Sequence, residues 1–351
     1  MFEISEAGRL TECVEVEKFY AEKALNMLRS LGILLPNAAA KIDRVSEVVR
    51  IPIHSSFSKT AVDLLKNGGI PSKPCVDVFK VSSRGMKFTD FLRGVLPGDV
   101  LERVPRSYQH IGCIAIIHLP EDLVGYGSVV GEAIARVSPN VRAVYTSLTT
   151  EGEFRVRKLR KIWGEDVTET IHVEYGVKIA LDVEKVYFNP TLSYEHWRVS
   201  EEVGDSEVVL DLFSGVGPYS LHIALKRSAT CFAVDSNPWA SIYLAKSIGL
   251  NKLKGRIVPV FSRVEDFLDL AEENYFNRAI VDLPHRSFEY LDSVLRVVSC
   301  RGTIHLYSIG GEELHTPRLP EGVKLLEVRR VLEYAPHKYI YGLKISKTCS
   351  Q

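Results

Sequence analysis

The chain has 351 residues, 46% of them hydrophobic and 25% charged, and its 44 basic and 44 acidic side chains cancel to a net charge of zero. That length suggests two or three domains on a scale of roughly 100–200 residues each, and no apolar run approaches the roughly 20 residues that a membrane span needs. A nucleic-acid partner would have to be met by a local basic patch, because there is no global field to attract it. The start, Met-Phe-Glu-Ile-Ser-Glu, lacks the basic end and apolar middle of a secretory signal, so a cytoplasmic protein is expected. Cys13, Cys75, Cys113, Cys231, Cys300 and Cys349 are scattered without a C-x-x-C pair, so neither a zinc site nor a disulfide framework is predicted.

In chain order, Cys13–Val16 reads as a short strand. Glu17–Leu31 follows as a helix with Tyr20, Ala24, Leu25, Leu28 and Leu31 on one face, capped by Gly32. Ile42–Ile53 is strand material, and residues 54–74 are turns and loops around one short helix, Thr60–Lys66. Residues 1–82 make a small α+β module with no catalytic pattern, suited to docking or recognition. In the next stretch Phe88–Val95 predicts a short helix stopped by Pro97-Gly98. Ile111–Ile117 is a buried strand, Leu123–Val137 a helix, and Ala143–Thr146, Phe154–Ile162, Thr168–Val173 and Val177–Val183 are strands. These form a second α+β domain over about residues 83–185. Within it, Arg155, Arg157, Lys158, Arg160 and Lys161 crowd one strand beside Trp163. This run is either a solvated edge guarded by charge or a phosphate-binding ridge.

From residue 186 the pattern changes. A helix should start near Thr191 or Ser193 and carry Glu195, Trp197 and Arg198. Val208–Leu210 is a short buried strand closed by Asp211. Gly215 and Gly217 then permit a tight turn, and Ser220–Lys226 has helical spacing. A second strand ends in Asp235-Ser-Asn-Pro238, where an acid can hold both hydroxyls of a ribose. Arg256–Phe261 is a third strand and the stretch from Arg278 to Asp282-Leu-Pro284 a fourth. Thr303–Tyr307, Leu325–Val331 and Ile340–Ile345 complete seven.

The acid ahead of the glycines, in the pattern D-x-F-x-G-x-G, resembles the class I S-adenosylmethionine (SAM) methyltransferases. A dinucleotide fold would carry a third glycine to cradle a pyrophosphate, and none stands near Leu221. The resemblance implies an α/β fold: a class I SAM-dependent methyltransferase (Rossmann-like) C-terminal domain over residues 186–351, preceded by two smaller α+β domains. It implies SAM as cofactor, held by Asp211, Phe213, Gly215, Gly217, Asp235, Ser236, Asn237 and Asp282, with Ser262 and Arg263 at the usual adenine position.

Seven stretches in order resemble one family, the archaeal and eukaryotic tRNA guanosine-37 N1-methyltransferases, which share ancestry with the wybutosine-pathway transferases. They are Ile111-Gly-Cys-Ile-Ala-Ile, Phe154-Arg-Val-Arg-Lys-Leu, Thr170-Ile-His-Val-Glu-Tyr-Gly176, Val186-Tyr-Phe-Asn-Pro with Glu195, Asp211-Leu-Phe-Ser-Gly-Val-Gly-Pro-Tyr219, Asp282-Leu-Pro284 and Tyr334-Ala-Pro336. The likeness covers most of the chain. It implies a tRNA partner, gripped at the anticodon stem-loop and outer corner, and a monomeric enzyme without a metal. It makes Glu195 the general base, Arg155 its cationic partner, Tyr187 an aromatic of the cofactor pocket and Pro284 the turn beside the target base. A carboxylate suits that chemistry, since guanine N1 must lose its proton as the methyl arrives, and a guanidinium can stabilise the charge that develops on the base.

The chain departs from the family at four positions. Thr191 and His196 stand where arginine is usual, Asp282 where asparagine is usual, and Arg263 where an acid is common. These leave open a relative that methylates carbon 7 of 4-demethylwyosine, alone or in addition, and one that transfers the aminocarboxypropyl group of SAM. A tRNA-binding protein with a decayed site is a third alternative, against which the intact Asp211, Gly215, Gly217 and Asp235 argue.

Overall fold

The computed structural model describes residues 9–31, 33–35, 38–43, 46–53, 57–79, 87–151, 156–314 and 319–348. The chain divides into two compact units, Met1–Val104 with Glu132–Pro139, and Pro105–Gly131 with Asn140–Gln351.

The first unit is built on an antiparallel sheet of order β2-β3-β1-β4, with β1 Arg9–Glu17, β2 Lys41–Asp43, β3 Val48–Pro52 and β4 Ser72–Phe79. Strand alternation buries Val14 and Val16 of β1 beside Val49 and Ile51 of β3, against Ala24 and Leu28 of α1 (Ala21–Ser30) and Ala61 and Leu65 of α2 (Ser58–Asn67). Between Ala24 and Leu28 the step is one helical turn, so both fall on the core-facing stripe. The Gly32 cap and residues 54–56 lie outside the described residues. A third helix, α3 (Gly98–Arg103), follows the 3-10 turn Phe88–Phe91, so Pro97-Gly98 opens a helix instead of only ending one.

β4 corrects the sequence reading twice. Pro74 within it reads as a loop signal, but Ser72–Phe79 pairs along β1 as an edge strand, where a missing N–H is tolerated. That pairing sets Cys13 directly opposite Cys75, their Cα atoms 4.9 Å apart, and the two form a disulfide. Cys300 is also disulfide-bonded, while Cys113 and Cys231 are free thiols. Spacing could not show these bonds, because their geometry depends on strand register.

The second unit opens with a sheet of order β5-β6-β7-β8: β5 Gln109–Ile111, β6 Ile114–Ile117, β7 Ala143–Glu151 and β8 Val156–Gly164. The single strand expected at 111–117 is a hairpin. Gly112 turns it at φ 57°, and a Cβ there would lie 2.1 Å from Thr170 Oγ1. The crossover from β6 to the parallel β7 runs through α4 (Gly127–Val137). A second hairpin, β9 Glu169–Glu174 and β10 Val177–Asp182, turns at Tyr175-Gly176. Then comes α5 (Ser193–Glu202), preceded by a 3-10 turn that Asn189, not Thr191 or Ser193, caps by accepting from Thr191 N–H at 3.2 Å.

The seven-stranded sheet has the order β13-β12-β11-β14-β15-β17-β16. Its strands are β11 Val208–Leu212, β12 Thr230–Asp235, β13 Arg256–Phe261, β14 Phe276–Val281, β15 Val298–Gly310, β16 Val323–Ala335 and β17 Lys338–Lys347. The first five run parallel, and β17 is antiparallel to both of its neighbours. The central strand β11 is covered on both faces, as parallel sheets require. On one side Val209 joins Leu221 and Ile223 of α6 (Pro218–Lys226) and Tyr243 and Leu244 of α7 (Pro238–Leu250). On the other, Leu210 and Leu212 join Leu268 of α8 (Val264–Leu270) and Leu291 and Val294 of α9 (Leu291–Val297). β12 and β14 flank β11, so the chain leaves it in opposite directions and opens a crevice at its carboxyl end.

The disulfide closes a loop with a sequence separation of 62, which places its contribution to stability at about 2–4 kcal/mol. Replacing Cys75 by serine should lower the stability of the first unit by that amount in urea unfolding of the oxidised chain. Superimposable curves for the two proteins would show that the bond contributes nothing.

Candidate active site

The floor of the cleft is the turn after β11. Phe213, Gly215 and Gly217 all have positive φ, at 60°, 53° and 74°. At Gly217 a side chain is excluded twice over, by that φ and by Leu244 Cδ1, 2.5 Å from where a Cβ would sit. The Gly215 N–H donates to Asp235 Oδ2 at 2.8 Å, tying the turn to the end of β12. Asp211 lies behind the turn and does not line the cleft. It is fully buried and accepts from Ser220 Oγ at 2.6 Å, which anchors the start of α6. Burial, with the nearby charge of Asp282, pushes its carboxyl up to about 7 against the hydrogen bonds from Ser220.

The walls bring together Tyr187, Phe213, Asp235, Ser236, Asn237, Asp282 and Pro284. Asp235 Oδ1 accepts from Asn237 N–H at 2.8 Å, so each carboxylate oxygen holds one backbone amide and keeps a lone pair for a ribose hydroxyl. Burial raises its pKa, and the Asn237 and Gly215 amides oppose that. The Asn237 side chain is already engaged: it caps α7 through Trp239 N–H at 3.0 Å and donates to Lys185 O at 2.8 Å. The Tyr187 ring carries the Arg157 guanidinium at 5.4 Å, and the same guanidinium donates to Phe188 O at 3.2 Å. At the far side of the cleft, His285 meets Tyr334 edge to face at 5.6 Å. Pro284 O accepts from Ile309 N–H at 3.2 Å and pins that loop to β15.

Glu195 differs from expectation. It is 2% exposed and does not line the cleft. Arg198 donates to its two oxygens at 3.1 and 2.9 Å, the Tyr307 hydroxyl donates to Oε1 at 2.7 Å, and Arg329 of β16 forms an ion pair with Oε2. Arg198 as the orienting cation was legible from its position one turn along α5. Tyr307 and Arg329 were not, since they reach Glu195 from strands more than a hundred residues later in the chain.

Beside this cluster lies a second one that sequence reasoning missed. Glu174 at the end of β9 faces His196 of α5 and His222 of α6. Burial works to raise the Glu174 carboxyl, but the hydrogen bonds from His196 and His222 outweigh it and hold the group down at about 2. His172 Nε2 stands 3.7 Å from its other oxygen. Spacing gave no signal for it, because the two histidines stand 22 and 48 residues from Glu174.

Other expected residues lie elsewhere. Ser262 and Arg263 do not line the cleft; Ser262 Oγ donates to Arg263 O at 2.9 Å, and Arg263 extends into solvent near Glu265. They follow β13, the strand farthest from β11 on that side. Arg155 is outside the described residues. On β8, Arg157 and Leu159 turn inward while Lys158 and Arg160 face solvent, as a strand's alternation dictates, and Lys161 is exposed too because the β7–β8 register shifts beside it.

Comparison with known proteins places the chain among tRNA-modifying transferases by similarity. Residues 170–331 match the TRM5/TYW2 methyltransferase domain, and residues 88–168 match the TYW2 N-terminal domain. The chain is 39% identical over 272 residues to the tRNA (guanine(37)-N(1))-methyltransferase Trm5b of Pyrococcus abyssi, covering 74% of this chain and 80% of that protein. It is 31% identical to the tRNA(Phe) (4-demethylwyosine(37)-C(7)) aminocarboxypropyltransferase of Methanocaldococcus jannaschii, covering 66% and 93%. Among solved structures, the complex of aTrm5 and tRNALeu superimposes with a TM-score of 0.68 at 26% identity, over 96% of this chain and 99% of that one.

Asp235→Ala should weaken SAM binding by more than about tenfold, the loss expected for charge-assisted hydrogen bonds. The wild-type site should also be acid-sensitive. A carboxyl whose pKa is raised takes up its proton at a higher pH than an ordinary aspartate, so affinity is full above that pKa and falls as pH drops through it. Calorimetry with SAM at descending pH reads both effects. An unchanged affinity in Asp235→Ala would remove the residue from the site.

Proposed function

The chain belongs to the TRM5/TYW2 methyltransferase family, and we propose from that premise that it methylates N1 of guanosine 37 in tRNA, next to the anticodon. It is an enzyme that uses SAM, which supplies an electrophilic methyl group. The observation that carries the reading is the convergence of Tyr187, Asp235, Asp282 and Pro284 on one cleft over the Gly215–Gly217 turn. The residues fit the cofactor: Asp235 retains acceptor capacity for a ribose, and the glycine turn leaves the backbone open to close approach. The protein acts as a monomer in the cytoplasm and grips tRNA at its anticodon stem-loop and outer corner. Among the described residues no helix is long and apolar enough to cross a membrane.

Two carboxylates compete for the guanine N1 proton. Glu195 is the residue the family pattern supplies, and we assign it the role of base. In this structure its oxygens are taken by Arg198, Tyr307 and Arg329. The bound tRNA must therefore draw Arg329 away before an oxygen can reach the base, while Arg198 and Tyr307 keep the carboxylate aligned. Geometry in a free enzyme does not disqualify such a base, since catalytic contacts tighten in the complex. Asp282 lines the cleft where the family has an amide, and there it accepts from the exocyclic amine of the base and fixes its orientation. That aspartate favours one second reading, methylation of carbon 7 of 4-demethylwyosine at the same nucleotide.

Glu195→Gln should lower the single-turnover rate by about 10²–10⁴ with tRNA affinity nearly kept, the range for loss of acid–base catalysis. Asp282→Asn should be mild. A severe loss in Asp282→Asn beside an active Glu195→Gln enzyme would move the base to Asp282 and favour the wyosine substrate, and mass spectrometry of the product nucleoside would decide between the two.

On β8 the exposed Lys158 and Arg160 are assigned to phosphate contacts. Reversing both charges should weaken tRNA binding uniformly across tRNAs and reduce the slope of log affinity against log salt by about 2. Unchanged affinity would leave this strand a solvated edge.

A further inference from the structure

We propose that Glu174, His196 and His222 form a buried site for one divalent transition-metal ion of the zinc type, clamping α5 and α6 onto the end of β9. The three side chains come from three separate elements and are 5%, 2% and 0% exposed. Their donor atoms all lie within 4.8 Å of one another. His196 Nδ1 and His222 Nε2 approach the same oxygen, Glu174 Oε1, at 2.7 and 2.9 Å. Tetrahedral ligands at about 2.0–2.1 Å from zinc stand about 3.3 Å apart, so each pair needs to open by only about half an ångström.

Charge makes the stronger argument. A buried carboxylate needs a compensating cation. Among the described residues no lysine or arginine pairs with Glu174; its ion pairs are all to imidazoles. A divalent ion restores the balance. Hydrogen bonding also leaves the cluster incomplete, since Glu174 Oε2 and His222 Nδ1 are buried without a partner. With an ion bound, Oε2 is available as a second carboxylate donor. His172 stands beside the cluster without ligating: its Nδ1 accepts from Gly112 N–H at 3.3 Å, so its Nε2 carries the proton, and at 3.7 Å from Glu174 Oε2 it is too far to hydrogen-bond. Two imidazoles and one carboxylate suit zinc and its neighbours, not magnesium or calcium, which take oxygen ligands. The sequence carries no metal-binding spacing, because the histidines stand 22 and 48 residues from Glu174.

His196 neighbours Glu195 on α5, and α6 follows the glycine turn, so an ion here would fix the helix that carries the base. The test uses the full chain after treatment with chelator. Cobalt(II) added to it should give the visible absorption of a tetrahedral site, and zinc should bind at about one ion per chain by mass spectrometry and raise the Tm. His196→Arg replaces one proposed ligand by a cation that can pair with Glu174 and should keep the circular dichroism of the wild type. It should lose the cobalt band, bind at least about tenfold less zinc and show no Tm shift with zinc. Absence of the cobalt band in the wild type would overturn the proposal, and so would equal zinc binding in His196→Arg, which would place the ion elsewhere.

Discussion

The hydrogen bond from the Gly215 amide to Asp235 holds the cleft together. It links two strand ends that the sheet places side by side but does not itself orient. Of the three positive φ values in the turn after β11, Gly215 and Gly217 take theirs freely, and Phe213, a non-glycine at φ 60°, carries the strain. The turn is kept by contacts from outside: Asp235 on its outer edge, Ser220 on Asp211 behind it, and Leu244 filling the space that a side chain at Gly217 would need. The aspartate that lines the cleft therefore also fixes the loop beneath it.

The unit buries several carboxylates close together and treats each differently. Asp235 is held by backbone amides, Asp211 by a serine, Glu174 by imidazoles and Glu195 by guanidinium groups and a phenol. Amide dipoles and a hydroxyl only partly offset desolvation, so Asp235 and Asp211 are pushed upward. Glu174 is held down. Asp211, buried behind the turn, and Asp235, on the cleft wall, are thus both easier to protonate than ordinary aspartates.

Much of this architecture was legible in the sequence, for local reasons. The strand at Arg256–Phe261 is found with the bounds its apolar run defines, and the turn at Gly215 and Gly217 follows from positions that only glycine fills easily. What stayed hidden depends on register or on long-range contact. The β4 strand was concealed by Pro74, and the Cys13–Cys75 bond followed from it. The Gly112 hairpin was concealed inside a continuous apolar run. Of the expected site residues, those in the turn after β11, at the end of β12 and in the loop after β14 line the cleft because they sit at strand ends, while Asp211 within β11 does not. Ser262 and Arg263 were placed in the cleft by analogy with strand order, and their side chains turn elsewhere. Of the groups that hold Glu195, Arg198 was legible along α5, but Tyr307 and Arg329 could not be read, since they reach it from β15 and β16.

The position of β17 has a consequence for how the chain is made. Later in sequence than every other strand, it lies between β15 and β16 and pairs with both. β15 and β16 cannot complete their ladders with each other, so as the chain emerges from the ribosome each presents an open edge until β17 arrives. Tyr307 on β15 and Arg329 on β16 are brought to Glu195 only when that insertion is complete. A nascent chain can thus wind β11 to β14 and form the glycine turn and the Asp235 wall of the cleft while Glu195 is still unclasped. During that interval the unpaired edges need shielding from other nascent chains.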